Sequence, residues 1–263
     1  MNFIKDLKVK ARSFLSHARP SPLFVGIVAA GVIVGLQQLE QYVTGYAKRY
    51  ESMMSAYEAY MSNGDMEALL NAAQGSQMSF VQGALSVLLQ LMVLMVTVGV
   101  IIYAFSVIRY RQGSYGNLLD GLPVLMCVLV YQLLSGLFIF LWSLLLVVPG
   151  IMAAYSYRMG LYLLLDHPEL TPGQCLKLSR KMMQGHRMEL FLLDVSFLGW
   201  TAGLYVVSMG MSVAGMGLGG VILTLPLQAF VLMYVQFTEF LFYERLLGVE
   251  YEPLTPSEPN LPQ

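Results

Sequence analysis

The sequence predicts an all-α polytopic membrane protein with about six membrane segments, the fourth of them short or broken. Three observations predict it. The first is composition: of 263 residues, 57% are apolar and 12% are charged. A soluble domain runs near 45–50% apolar and about 25% charged. The second is the distribution of charge, which leaves uninterrupted apolar stretches of the roughly 20 residues needed to cross a bilayer core. The third is the placement of the basic residues, which fall on one side when those stretches are threaded alternately through a membrane. The mean hydropathy of +0.63 agrees. A soluble fold, a disordered chain and a nucleic-acid binder are excluded. The net charge of −1 offers no phosphate-neutralising surface.

The elements follow in chain order. Residues 1–22 are a basic amphipathic segment, with Phe3, Ile4, Leu7, Ala11, Phe14 and Leu15 at three- and four-residue steps. They read as a helix on the inner leaflet, or as charge that only sets topology. The first membrane segment spans 23–39. Residues 40–79 form an extracytoplasmic helical insertion. Tyr42, Tyr46 and Tyr50 share one helix face there, and Asn63-Gly64-Asp65 breaks the helix so that Asp65 can cap the next. This surface either meets a peptide, lipid or protein, or anchors tyrosines among headgroups.

Residues 80–252 form the main membrane domain. Its second segment is Phe80 to Ile108. The charge-free run Gly121 to Tyr157 is too long for one crossing and holds Pro149-Gly150, so it is divided there into a third and a fourth segment. The fourth, Gly150 to Leu165, is a short crossing or a re-entrant hairpin. Leu190 to Met209 and Gly219 to Tyr243 complete the set. An amphipathic helix near 172–188 starts with Thr171-Pro172, a cap followed by a first-turn proline. It should lie flat on the cytoplasmic surface. The tail 253–263 has proline at every third residue and reads as a cytoplasmic segment. Gly31/Gly35 and Gly199/Gly203 offer close helix contact, and Gly210 to Gly220 marks a flexible turn.

Twelve of the fifteen Lys and Arg fall on one face in this threading. The positive-inside rule makes that face cytoplasmic, with both termini inside.

Charge at membrane depth is costly, about 2.5–3.5 kcal/mol on insertion scales. Three residues incur that cost: Arg158, Asp194 and Glu239. They read as a ligand or gating site, or as snorkelling and ion-paired structure. Gln90, Tyr131, Gln132, Tyr155, Gln228 and Gln236 could line a shared polar cavity, or hydrogen-bond between helices. No catalytic residues are assigned, because HExxH, GxSxG, phosphate-loop and dinucleotide patterns are all missing. Cys127 and Cys175 have no neighbour at ligand spacing, so neither a disulfide nor a metal site is implied, and no cofactor is.

Residues 144–200 and 242–246 carry a further pattern. Its elements are Pro149-Gly150, Tyr155 and Tyr157, Asp166 to Pro168, Leu178-Ser179, Met182 to Gly185, Leu190-Phe191, Ser196 to Trp200, and Phe242-Tyr243-Glu244-Arg245-Leu246. This resembles the bacterial DUF975 family of integral membrane proteins, over roughly residues 100–250. The resemblance implies a multi-span fold in a bacterial cytoplasmic membrane. It implies no reaction, substrate or catalytic residue.

The expected function is therefore a non-enzymatic accessory or envelope-associated membrane protein contacting lipid or peptide. The alternative is a small transporter component with a cavity around Arg158, and a lipid-modifying enzyme comes third. Membrane lipids and a protein or peptide are the expected partners, nucleic acid is not, and the oligomeric state is left open.

Overall fold

A computed structural model describes residues 2–75 and 79–249. The proline-rich tail lies outside the described residues. Among those residues the secondary structure is helical throughout. The helices are α1 (Asn2–His17), α2 (Pro22–Thr44), α3 (Tyr46–Asn63), α4 (Met66–Gly75), α5 (Phe80–Tyr110), α6 (Leu125–Leu145), α7 (Val147–Tyr157), α8 (Gly160–Asp166), α9 (Pro172–Met182), α10 (Arg187–Val213) and α11 (Gly217–Leu246). Five of these, α2, α5, α6, α10 and α11, are long and apolar enough to cross a membrane. The chain is an all-α polytopic membrane protein.

The expected fourth segment is two short helices. At 1.5 Å per residue, α7 is about 16 Å long and α8 about 10 Å, so neither crosses alone. The break expected at Pro149-Gly150 falls elsewhere. Leu146 is extended, with φ −161° and ψ 147°, and caps both α6 and α7. Pro149 sits in the first turn of α7, where its missing N–H would have had no helical partner. Gly150 is a point of close approach: a Cβ there would collide with Ser143 of α6. The second break, at Arg158 and Met159, lies where the Tyr131 hydroxyl of α6 donates to the Tyr157 carbonyl. That bond satisfies a carbonyl left over at the end of α7.

The chain divides into two compact units, residues 31–96 and residues 1–30 with 97–263. In the first unit, Glu40 near the end of α2 accepts hydrogen bonds from Ser86 and Gln90 of α5. Gly45 and Gly64, both at positive φ, separate α2 from α3 and close α3. The Asp65 carboxylate accepts the Ala68 amide at 3.0 Å and caps α4. Tyr42, Tyr46, Tyr50 and Tyr57 are all exposed.

The second unit holds the main core. Tyr103 of α5, Phe14 of α1, and Phe237, Phe240 and Tyr243 of α11 are fully buried there. The amphipathic face of α1 packs on α11. Leu7, Ala11 and Phe14 are buried, and the Phe14 and Phe237 rings lie 6.5 Å apart. The apolar stripe expected to enter the inner leaflet is thus used against protein. Its charged flank is held too. Lys8 donates to the Ser196 carbonyl at 3.0 Å and stands over the Phe197 ring, and burial pulls its amine below the usual lysine range.

Helix α9 carries the expected Thr171-Pro172 start as a capping box with Gln174. Cys175, Leu176 and Ser179 form its buried face, which packs on α6, α7 and α8. Burial raises the Cys175 thiol above its ordinary value. The glycine expectations divide: a turn does fall at 214–216, with Gly215 at positive φ, while helix continues through Gly210, Gly219 and Gly220, and Gly31, Gly35, Gly199 and Gly203 have open space beside them. Close approaches lie at Gly26, Gly99, Gly113, Gly150, Gly160 and Gly220.

Candidate functional site

The second unit gathers its charged groups into two arginine-centred networks. Arg158 is held between α7 and α8. Its guanidinium donates to Asp194 of α10 and to Glu239 of α11. Tyr155 of α7 donates to Asp194 at 3.0 Å, and Tyr162 of α8 donates to Glu239 at 3.1 Å. Glu239 is 7% exposed and Arg158 is 37% exposed, so the network opens on the arginine side. The three charges singled out in the sequence are therefore one cluster.

Helix geometry explains the convergence. Tyr155 packs edge-on to Phe191, so α7 follows the first turns of α10 and Arg158 reaches Asp194 three residues further along both. Helix α8 then steps along the last turns of α11, with Tyr162 against Glu239 and Asp166 against Tyr243. The break at Arg158 and Met159 places the guanidinium where the two courses meet.

The second network lies further along the same turns. Arg109, in the last turn of α5, donates Nε to Glu244 at 2.6 Å and both terminal nitrogens to Asp166. Tyr243 donates to Asp166 at 2.8 Å. The Arg109 guanidinium also lies 5.1 Å from the centroid of the Phe105 ring. Burial by itself would raise the Asp166 carboxyl. The hydrogen bonds from Arg109 and Tyr243 and the arginine charge outweigh it and hold the carboxyl below the usual carboxylate range. Each network joins one arginine to two carboxylates, and a tyrosine hydroxyl satisfies further lone pairs.

Only some of the polar residues expected to share an interior come together. Tyr155 and Gln236 belong to the Arg158 network, the Gln236 side-chain oxygen lying 3.4 Å from the Tyr162 hydroxyl. Tyr131 is buried beside it, on the Tyr157 carbonyl. Gln132 is exposed, Gln228 bonds within its own helix to Thr224, and Gln90 bonds Glu40 in the other unit. Among the described residues no cluster of His, Cys, Asp and Glu could hold a metal ion.

Sequence reasoning missed the Arg109 network. Arg109 enters the sequence reading only among the basic residues that set topology, and Asp166 and Glu244 only as members of the pattern behind the family resemblance. A signal existed, because Asp166-His167-Pro168 and Tyr243-Glu244 both fall in the pattern that carried the family resemblance.

A family model described as a protein of unknown function, DUF975, matches residues 75–250. The chain belongs to the DUF975 family. No curated protein and no solved structure matches it. The DUF975 match spans both networks, from Arg109 through Glu244, together with α6 to α11. Helices α1, α2 and α3 lie outside it.

Proposed function

We propose that this DUF975 protein is a non-enzymatic accessory component of the bacterial cytoplasmic membrane, with both termini cytoplasmic, acting through contact with lipid or peptide. One observation carries the reading. The Arg158 guanidinium is committed to two carboxylates, and those carboxylates are committed to two tyrosines. A transport cavity needs groups left over for a substrate, and a hydrolytic site needs a carboxylate beside an open nucleophile position. A satisfied network braces helices instead, and leaves the lipid-facing surface for contact with partners.

Two-sided labelling tests this. Tyr155→Cys and Gln236→Cys, each alone, would be treated with a membrane-impermeant maleimide in right-side-out and inverted vesicles. The accessory reading expects no site labelled from both sides. Labelling of either position from both sides identifies a cavity with alternating access and supports the transporter instead. Ser55→Cys and Ser257→Cys report orientation in the same preparations, and labelling of both from one side overturns the proposed topology.

A further inference from the structure

We propose that the groove between α9 and the α6–α7 hairpin binds the headgroup of an anionic phospholipid, with Arg180 and Arg187 on its phosphate. The proposal rests on the lipid-contact reading above and names the lipid class. The groove has two arms that meet at Tyr157 and Arg180. One, of about 190 Å³, is lined by Trp142, Pro149, Ser156, Arg180 and Arg187. The other, of about 320 Å³, is lined by Leu134, Phe138, Leu176, Lys177 and Arg180. A guanidinium-lined arm continuing into an apolar arm matches a headgroup joined to an acyl chain.

The charges point the same way. Arg109, Arg158 and Arg245 each end on a carboxylate. Arg180 and Arg187 have no ion-pair partner among the described residues. The Nε of Arg187 is buried without a hydrogen-bond partner, so the protein leaves this guanidinium incompletely satisfied. Two guanidiniums in one arm favour a net-negative headgroup and repel a choline, while a phosphate oxygen accepts the planar N–H fork. The flank supports membrane residence. Leu133, Leu137, Leu141, Leu144 and Leu145 of α6 are exposed beside the groove, as are Val147 and Val148 at the hairpin turn. Such an uncharged surface belongs in lipid.

Native mass spectrometry of the full chain tests the site. Delipidated protein in detergent would be offered equimolar short-chain phosphatidylglycerol and phosphatidylcholine. The wild type should retain phosphatidylglycerol about tenfold over phosphatidylcholine, one charge-assisted interaction's worth of selectivity. Arg180→Gln with Arg187→Gln should abolish the preference. Lys181→Gln, the loss of one positive charge at an exposed position of α9 beside Arg180, should keep it. A preference that persists in the double variant, or that is lost equally in Lys181→Gln, overturns the proposal. Displacement of the lipid by millimolar inorganic phosphate shows a site for a free anion and overturns it too.

A second measurement leaves both arginines in place. Trp142 and Trp200 are the two tryptophans, so Trp200→Phe makes Trp142 the reporter. Brominated phosphatidylglycerol should quench it more than brominated phosphatidylcholine, and equal quenching overturns the proposal. Lipid retained without headgroup preference removes this site and leaves the lipid-contact reading standing. A folded protein that retains neither lipid overturns both.

Discussion

Arg158 and Glu239 are ion-paired across 81 residues of sequence, although each lies in a stretch that otherwise reads as membrane-spanning. The pair explains how two costly charges coexist there. Glu239 is buried with Tyr162 and Arg158 as its partners, and Asp194 takes the other side of the guanidinium.

Removing Arg158 should therefore destabilise more than removing Glu239. Arg158→Ala leaves two carboxylates facing one another, whereas Glu239→Gln keeps an acceptor oxygen for Arg158 and turns an amide N–H toward the Tyr162 hydroxyl, which can accept it. Breaking a fully buried pair costs about 3–5 kcal/mol. The 37% exposure of Arg158 reduces the expectation to about 2 kcal/mol. Thermal unfolding in detergent reads the difference. Equal melting temperatures for the wild type and Arg158→Ala would show that the network does not brace the fold.

Asp166 makes the stability of the second network pH-dependent. Its carboxyl is held below the usual range in the folded chain. The resulting stabilisation is present above the unfolded carboxyl's value, near 3.9, and is lost as pH falls through the lower folded value. Melting temperature should thus fall steeply on the acid side of about pH 4. Asp166→Asn should start lower at neutral pH and show a shallower acid slope. An unchanged slope in that variant would assign the acid sensitivity to other groups.

Gly160 and Tyr131 should behave as a coupled pair. A Cβ at Gly160 meets the Tyr131 hydroxyl and ring edge, so Gly160→Ala should cost about 1–3 kcal/mol through overpacking. Tyr131→Phe deletes the nearest colliding atom and loses one hydrogen bond, about 1 kcal/mol. The double variant should be more stable than the sum of the two losses. Strict additivity, measured by thermal unfolding, would place the cost of Gly160→Ala elsewhere.

Phe14 distinguishes a helix docked on protein from one resting on lipid. It is 0% exposed against Phe237, while Val9 on the same helix is 63% exposed. Phe14→Ala should lower stability by about 3 kcal/mol in detergent, and Val9→Ala by less than about 0.5 kcal/mol. Similar small effects at both positions would return α1 to the membrane surface.

Local pattern carried much of this fold in the sequence. Apolar length marked out the five long helices, the Thr171-Pro172 start marked α9, and three- and four-residue spacing marked the buried face of α1. These properties depend on a few neighbouring residues, so they survive without knowledge of the fold. The partner of each face did not. The α1 stripe is compatible with lipid or protein, and only the position of Phe237 decides between them. The division of the long charge-free run also depended on contacts. Proline and glycine attract a break by local rule, but Ser143 against Gly150 and Tyr131 on Tyr157 set where the helices end. The ion networks depended on the fold altogether. Arg109 lies 57 residues from Asp166 and 135 from Glu244. A charge read alone shows its cost in the membrane, and only packing brings the groups that offset it within hydrogen-bonding distance.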